Sequence, residues 1–196
     1  MRTFTLPYSL ILGSKSPRRQ QLLRDLGFSF TCRSADIEES YPPHLREAEI
    51  AEYLAVQKAQ ALQPKLQDRE RVLTSDTVVW CKGESLAKAS NAREARIMLQ
   101  KMSGREHTVI TAICLASRHS QQVLHDAVKV FFNPLDEEVI EHYITNYEPF
   151  DKAGAYGIQE WIGMWGIRRI EGSYFTVMGL PTHLVGPLLL EEKGRL

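Results

Sequence analysis

The sequence predicts an α/β protein folded as one domain over residues 1–196. Three observations lead there. Short apolar and β-branched runs alternate along the chain with segments of helical periodicity. Those segments are bounded by residues that start and stop helices. A chain of 196 residues can also bury roughly 70% of its unfolded surface, so no disulfide or metal staple is required. Cys32, Cys81 and Cys114 are odd in number and lack CxxC spacing, which reads as reduced, mostly buried thiols. Lysine plus arginine and aspartate plus glutamate balance at 24 each, a poor electrostatic footprint for gripping long nucleic acid, so any basic site is local. Residues 1–7 contain no long apolar run and no later stretch approaches a membrane span, so a soluble, unprocessed, cytoplasmic protein with no membrane partner is expected.

Residues 8–12 form an apolar run of the length of a buried strand. Ser16 is a good N-cap and Pro17 suits the first helical position, so a helix begins here and stops near Gly27. Strand, small-residue loop and helix N-terminus make a ready anion site, where free N–H groups and the dipole favour phosphate and Arg18 and Arg19 add bidentate donors. That basic pair opposes the dipole, a cost that a bound anion relieves; the alternative is a capped helix with solvated arginines. Gly13-Ser14-Lys15-Ser16 is not a Walker A motif, because the Gly-Lys pair is split. Residues 28–32 suggest a second strand. Residues 35–40 form an acidic loop before Pro42-Pro43, either solvated or metal-binding. A helix follows over about residues 44–63, in which Leu54, Lys58 and Leu62 stand at i, i+4 and i+8. Lys58 therefore lies on or beside the apolar stripe, where snorkelling explains it as well as a functional role does.

Residues 71–80 place a carboxylate inside an apolar, β-branched run. Asp is depleted from strands and costly to bury. Either Asp76 is held in the strand by hydrogen bonds, a cation or a metal, or the strand stops at Thr74 and Asp76 starts a turn. The stretch alone leaves both open. Cys81-Lys82-Gly83-Glu84 reads as a hairpin turn, and a helix over about residues 91–102 carries Asn91 and Glu94 at capping-box spacing, Ala92, Ala95, Leu99 and Met102 on one face, and Gly104 as its stop. Two β runs, residues 108–116 and 123–132, are joined by a hairpin at 117–120. His107, His119 and His125 lack mutual metal-ligand spacing and read as ordinary histidines. Residues 136–147 are amphipathic with helical period. Residues 151–159 combine two glycines with Lys, Tyr and Gln, either a loop that brings backbone to a ligand or a plain surface loop. Residues 161–170 lead back into a strand, 172–174 turn, and 177–181 open a final helix that Gly186-Pro187 kinks or splits.

Taken together, Ser14-Lys15-Ser16-Pro17-Arg18-Arg19, Glu39, Lys58-Ala59, Ser75-Asp76-Thr77-Val78-Val79, Lys88, residues 99–104, residues 151–159 and Gly179-Leu180-Pro181 resemble the Maf family of nucleoside triphosphate pyrophosphatases. The resemblance runs in register along nearly the whole chain. It implies an elongated, two-lobed α/β fold with a mixed sheet, similar to that of the inosine triphosphate pyrophosphatases, with the active site in the cleft between the lobes. It implies hydrolysis of a nucleoside triphosphate to the monophosphate and pyrophosphate with a divalent cation, magnesium first and manganese as the alternative. By position, Asp76 matches the family's catalytic proton acceptor and Glu39 a second acid near the metal, with Asp76 a possible ligand as well. Ser14, Arg18, Arg19, Lys58 and Lys88 match the polar and basic positions around the triphosphate. Attack of water on a phosphorus atom needs cations to spread developing charge, which agrees with that division.

The resemblance also separates subfamilies. One acts on dTTP and UTP and has Arg, Thr and Gln at three specificity positions, while a sister group acting on 7-methyl-GTP has Trp, Gln and Glu. Here they are Arg18, Thr77 and Gln159. A neutral amide can accept from N3–H of thymine or uracil and donate to a carbonyl, whereas a glutamate only accepts. Pyrimidine triphosphates, modified ones included, are therefore the expected substrates. The chain departs from the family pattern at Gln57, Ala89 and Glu160, where Glu, Pro and Gly are usual. The family suggests a homodimer. A second reading is a nucleotide-binding regulator of septum formation without turnover; a nucleic-acid-binding protein is a distant third.

Overall fold

In the computed structural model, which describes residues 4–34 and 37–191, the chain opens with strand β1 (Ser9–Leu12), helix α1 (Pro17–Asp25), strand β2 (Thr31–Cys32) and helix α2 (Glu47–Leu62). Strand β3 (Glu70–Cys81) turns into β4 (Glu84–Leu86), and α3 (Ala92–Met102) leads to the long strands β5 (Glu106–Ala116) and β6 (Gln121–Phe132). Helix α4 (Glu137–Tyr147), the short α5 (Trp161–Gly166), β7 (Ile167–Glu171), α6 (Tyr174–Val177) and α7 (Thr182–Glu191) follow. Among the described residues seven strands make one sheet, in the order β2-β1-β3-β5-β6-β7 with β4 beside β3. The sheet is mixed: β1 is parallel to β2 and β3, while β4 and β7 are antiparallel to β3 and β6. The expected α/β class is the observed one.

The chain divides into two compact units, one from Met1–Asp76, Thr111–Asp126 and Gly179–Leu196, the other from Thr77–Ile110 and Ala127–Met178. In the first unit, β1 and β3 run in parallel register from Ser9 opposite Glu70 to Leu12 opposite Leu73. Strand β1 then ends, while β3 continues through Thr74, Ser75 and Asp76. This leaves the loop after β1 beside those three residues, at the carboxyl end of parallel strands, where α/β sheets bind their ligands. Gly13 makes that approach possible. Its N–H donates to the Leu73 carbonyl at 2.8 Å, and a Cβ there would lie 2.6 Å from Thr74 Cγ2. The loop then enters α1 through Ser16, whose hydroxyl accepts from the Arg19 N–H at 3.4 Å, with Pro17 in the first turn.

The second unit packs around Val79, Leu99, Met102, Val130, Phe132, Ile140 and Tyr143, all buried. Lys82 and Gly83, with φ of +54° and +83°, close the hairpin from β3 to β4 with the left-handed pair that such turns favour. Asn91 caps α3 by accepting from the Glu94 N–H at 3.0 Å.

Several expectations need correction. The strand predicted over 28–32 contracts to Thr31–Cys32, with Phe28 set apart from it in an isolated parallel bridge to Phe4, whose ring it stacks on at 5.2 Å. Residues 161–170 do lead back into a strand, β7, but through the six residues of α5, which the sequence did not announce. Residues 177–181 do not open the last helix. It starts at Thr182 and continues through Pro187, so it is not split. Of the acidic loop, Ala35 and Asp36 lie outside the described residues. His107 is buried and His119 and His125 are exposed, as ordinary histidines are.

Candidate active site

Asp76 lies inside β3 and is only 7% exposed, so the turn alternative is excluded. What holds it is a cation. Lys58 Nζ donates to Asp76 Oδ1 and lies 2.8 Å from Glu39 Oε1. The Lys58 side chain is 14% exposed, so it does not snorkel: the stripe of α2 aims it at the two acids. One ammonium between them offsets the mutual repulsion of a buried carboxylate and a half-exposed one. Thr74, two residues earlier on β3, donates its hydroxyl to the Ala55 carbonyl of α2 at 2.7 Å, which fixes the helix that carries Lys58 to the strand that carries Asp76.

The N-terminus of α1 belongs to the same unit. Ser14 is buried and its hydroxyl accepts from the Ser16 N–H at 3.2 Å. Arg19 Nε donates to the Gly179 carbonyl at 2.8 Å, and Ser75 Oγ donates to the same oxygen at 3.1 Å. That carbonyl therefore ties the first turn of α1 to the residue directly before Asp76. Burial pulls the Arg19 guanidinium below its ordinary pKa, the Asp76 charge pulls it back, Arg18 adds to the lowering, and Glu39 opposes it. Arg19 stays a cation throughout. Its titration is shaped by the two acids and Arg18, so these groups share one electrostatic environment.

Glu39 and Asp76 are hard oxygen donors of the kind magnesium takes, commonly one or two carboxylates with waters and substrate phosphates filling the rest. Among the described residues no group of three or more His, Cys, Asp and Glu side chains is placed to hold a metal. The donor chemistry of these two carboxylates fits such an ion, and in this structure Lys58 Nζ stands against an oxygen of each.

The remaining candidates lie in the second unit. Thr77 is half-buried on β3, and Val79 follows on the same face. Gly154 packs there, since a Cβ on it would stand 3.0 Å from Val79 Cγ1. The loop of residues 152–159 therefore packs through Gly154 on the face of β3 that carries Val79. It also pairs with the segment after β4: the Gly154 N–H donates to the Leu86 and Ala87 carbonyls at 2.9 and 3.1 Å, and exposed Lys88 forms a bridge with Ala153. It is no plain surface loop, since Lys152 and every residue from Gly154 to Ile158 are buried while Gln159 is exposed.

Some residues of these clusters were not legible as functional. The motifs of the Maf-like resemblance include Ser75, Lys152 and Gly179, and Glu160 is a departure from them, but the hydrogen bond from Ser75 to the Gly179 carbonyl links segments far apart in sequence. Tyr143, read only as an apolar position of α4, is the residue of the Glu160 network that no pattern announces.

The chain belongs to the Maf-like protein family, which matches it over residues 9–192. It is 49% identical over 175 residues to the dTTP/UTP pyrophosphatase of Flavobacterium johnsoniae, covering 89% of this chain and 90% of the relative. It is 46% identical over 183 residues to the dTTP/UTP pyrophosphatase of Flavobacterium psychrophilum, covering 93% and 94%. Among solved structures, a HAM1 protein from Coxiella burnetii aligns over 94% of this chain and 99% of its own at 16% identity, with a TM-score of 0.48.

Proposed function

We propose that this chain hydrolyses pyrimidine nucleoside triphosphates, dTTP and UTP, to the monophosphate and pyrophosphate. The observation that supports it best is the Lys58 ammonium shared by Asp76 and Glu39, in the unit that also holds the N-terminus of α1. Membership of the Maf-like family and the names of its relatives point the same way. The family match spans residues 9–192, so both units are read as one functional domain.

Asp76 takes a proton from the water that attacks the α-phosphorus, and the bond to the bridging oxygen breaks as pyrophosphate leaves. Lys58 fixes the Asp76 carboxylate through Oδ1. The helix N-terminus behind Ser14, with Arg18 and Arg19, binds phosphate oxygens and spreads their charge, and Lys88 adds a further cation. Glu39 and Asp76 would hold a divalent cation, magnesium or manganese, which supplies neutralisation of the phosphate charge. Gln159 reads the base by accepting from N3–H and donating to a ring carbonyl, with Thr77 and Arg18 as the other specificity positions. A homodimer belongs to this reading on the family resemblance alone, and a cytoplasmic location on the cysteine usage.

The test is pyrophosphate release from a panel of triphosphates with magnesium. Turnover of dTTP and UTP ahead of purine triphosphates is expected, and Gln159→Glu is expected to erode that preference. Cleavage of a purine triphosphate with dTTP and UTP untouched contradicts the substrate assignment.

A further inference from the structure

The turn that carries Gln159 is closed by a bond from the Glu160 N–H to the Gly157 carbonyl at 3.0 Å. Both of its ends meet one hydroxyl. The Gly157 N–H donates to Tyr143 Oη at 3.0 Å, and Tyr143 in turn donates to Glu160 Oε2. Tyr143 is fully buried in α4, so this hydroxyl is an anchor set in the core. Burial, and then the neighbouring Glu160 carboxylate, raise the Tyr143 pKa, so the phenol stays protonated and donates. Lys152, 8% exposed, pairs with Glu160 Oε1 at 2.9 Å and with Asp151 at 2.6 Å, which balances the charge that Glu160 brings into the half-buried site.

Glycine at 157 links this clamp to Gln159. A Cβ at Gly157 would lie 2.9 Å from Gln159 Nε2 and 2.9 Å from Glu160 Cδ. The amide of Gln159 and the carboxylate of Glu160 therefore occupy the same small space above Gly157. Where the Glu160 carboxylate is held decides how much of that space is left to the amide.

We infer that Tyr143 and Glu160 are positioning residues for Gln159: by clamping both ends of its turn they fix the amide in the orientation that discriminates pyrimidine from purine triphosphates. This rests on the proposed role of Gln159 as the reader of the base. Neither residue needs to touch substrate. Their removal acts on binding and selectivity and leaves the chemical step, centred on Asp76, in place. Losing one hydrogen bond of the clamp frees the amide among several orientations, which corresponds to about a tenfold loss of affinity for the preferred base.

The test measures kcat and KM for dTTP and GTP with the full chain and magnesium, alongside each variant's melting temperature. Tyr143→Phe and Glu160→Ala are expected to raise KM for dTTP about tenfold with kcat within about twofold. Glu160→Gln, which keeps an acceptor for Tyr143, should retain most of the wild-type KM. In a Gln159→Ala background, Tyr143→Phe should change KM by less than about twofold, because the residue it positions is gone. If Tyr143→Phe is unfolded at the assay temperature, Glu160→Ala carries the same comparison. The inference is overturned if both variants keep the wild-type KM and dTTP-over-GTP preference, or if the effect persists undiminished without Gln159. A Gln159→Ala single variant with wild-type preference removes the reading of Gln159 itself, and the inference with it.

Discussion

Lys58 stands where two carboxylates need a cation, and its removal should be felt in stability as well as turnover. Lys58→Met leaves Asp76 and Glu39 facing each other without their shared partner. A cost of about 2 kcal/mol is expected in urea unfolding, below the roughly 3–5 kcal/mol of a fully buried pair because Glu39 is 40% exposed. An unchanged urea midpoint would contradict the pairing. His107 supplies a second prediction, outside the site. It is buried, its Nε2 lies 2.7 Å from the Tyr156 hydroxyl, and burial pushes its pKa down to about 3. Below pH 6.5 the unfolded chain takes a proton there that the folded chain refuses, so the stability is complete above about 6.5 and is lost as pH falls toward 3. This one group should cost about 2 kcal/mol between pH 7 and pH 5. Replacing it as His107→Phe should flatten that part of the pH dependence of the urea midpoint, and an unaltered slope would exclude it. The sequence marked His107 as ordinary but not as neutral, since its partner Tyr156 is far away in the chain. Lys58, by contrast, was placed correctly by its spacing on α2, while its partners were not readable from that helix.

At the scale of elements, the strand–loop–helix from β1 to α1 does the positioning, and Gly13 is its narrowest point. Gly13→Ala puts a methyl 2.6 Å from Thr74 Cγ2 and 3.1 Å from Leu62 Cδ1. Thr74 is β-branched, fully buried and bonded to the Ala55 carbonyl, so it cannot swing aside. A loss of about 2 kcal/mol is expected from the overpacking, together with a raised KM as the loop shifts away from β3. A variant with wild-type melting temperature and KM would show that the loop has slack. The elements with strong local signals, α1, α3, α4 and the hairpin at Lys82-Gly83, were legible because caps, stops and periodicity agree there. Helix α5, with six residues, is too short to declare a period, and β2, with two, is too short to show an alternation.

For the molecule as a whole, the balance of 24 basic and 24 acidic residues confines positive charge to local sites such as the α1 N-terminus. A small, highly charged ligand suits that pattern better than a long polyanion. The α/β class and the candidate acids could be read from the chain. What sequence could not supply was the tertiary linkage: one ammonium between Asp76 and Glu39, and one carbonyl, that of Gly179, joining α1 to Ser75. The proposed reaction depends on Asp76 as the group that takes the proton. The most direct measurement is pyrophosphate release from dTTP and UTP by Asp76→Asn beside the wild-type chain, with magnesium and with melting temperatures recorded for both. A fall of about 10²- to 10⁴-fold in turnover by a folded variant is predicted. Wild-type turnover by Asp76→Asn would contradict the account.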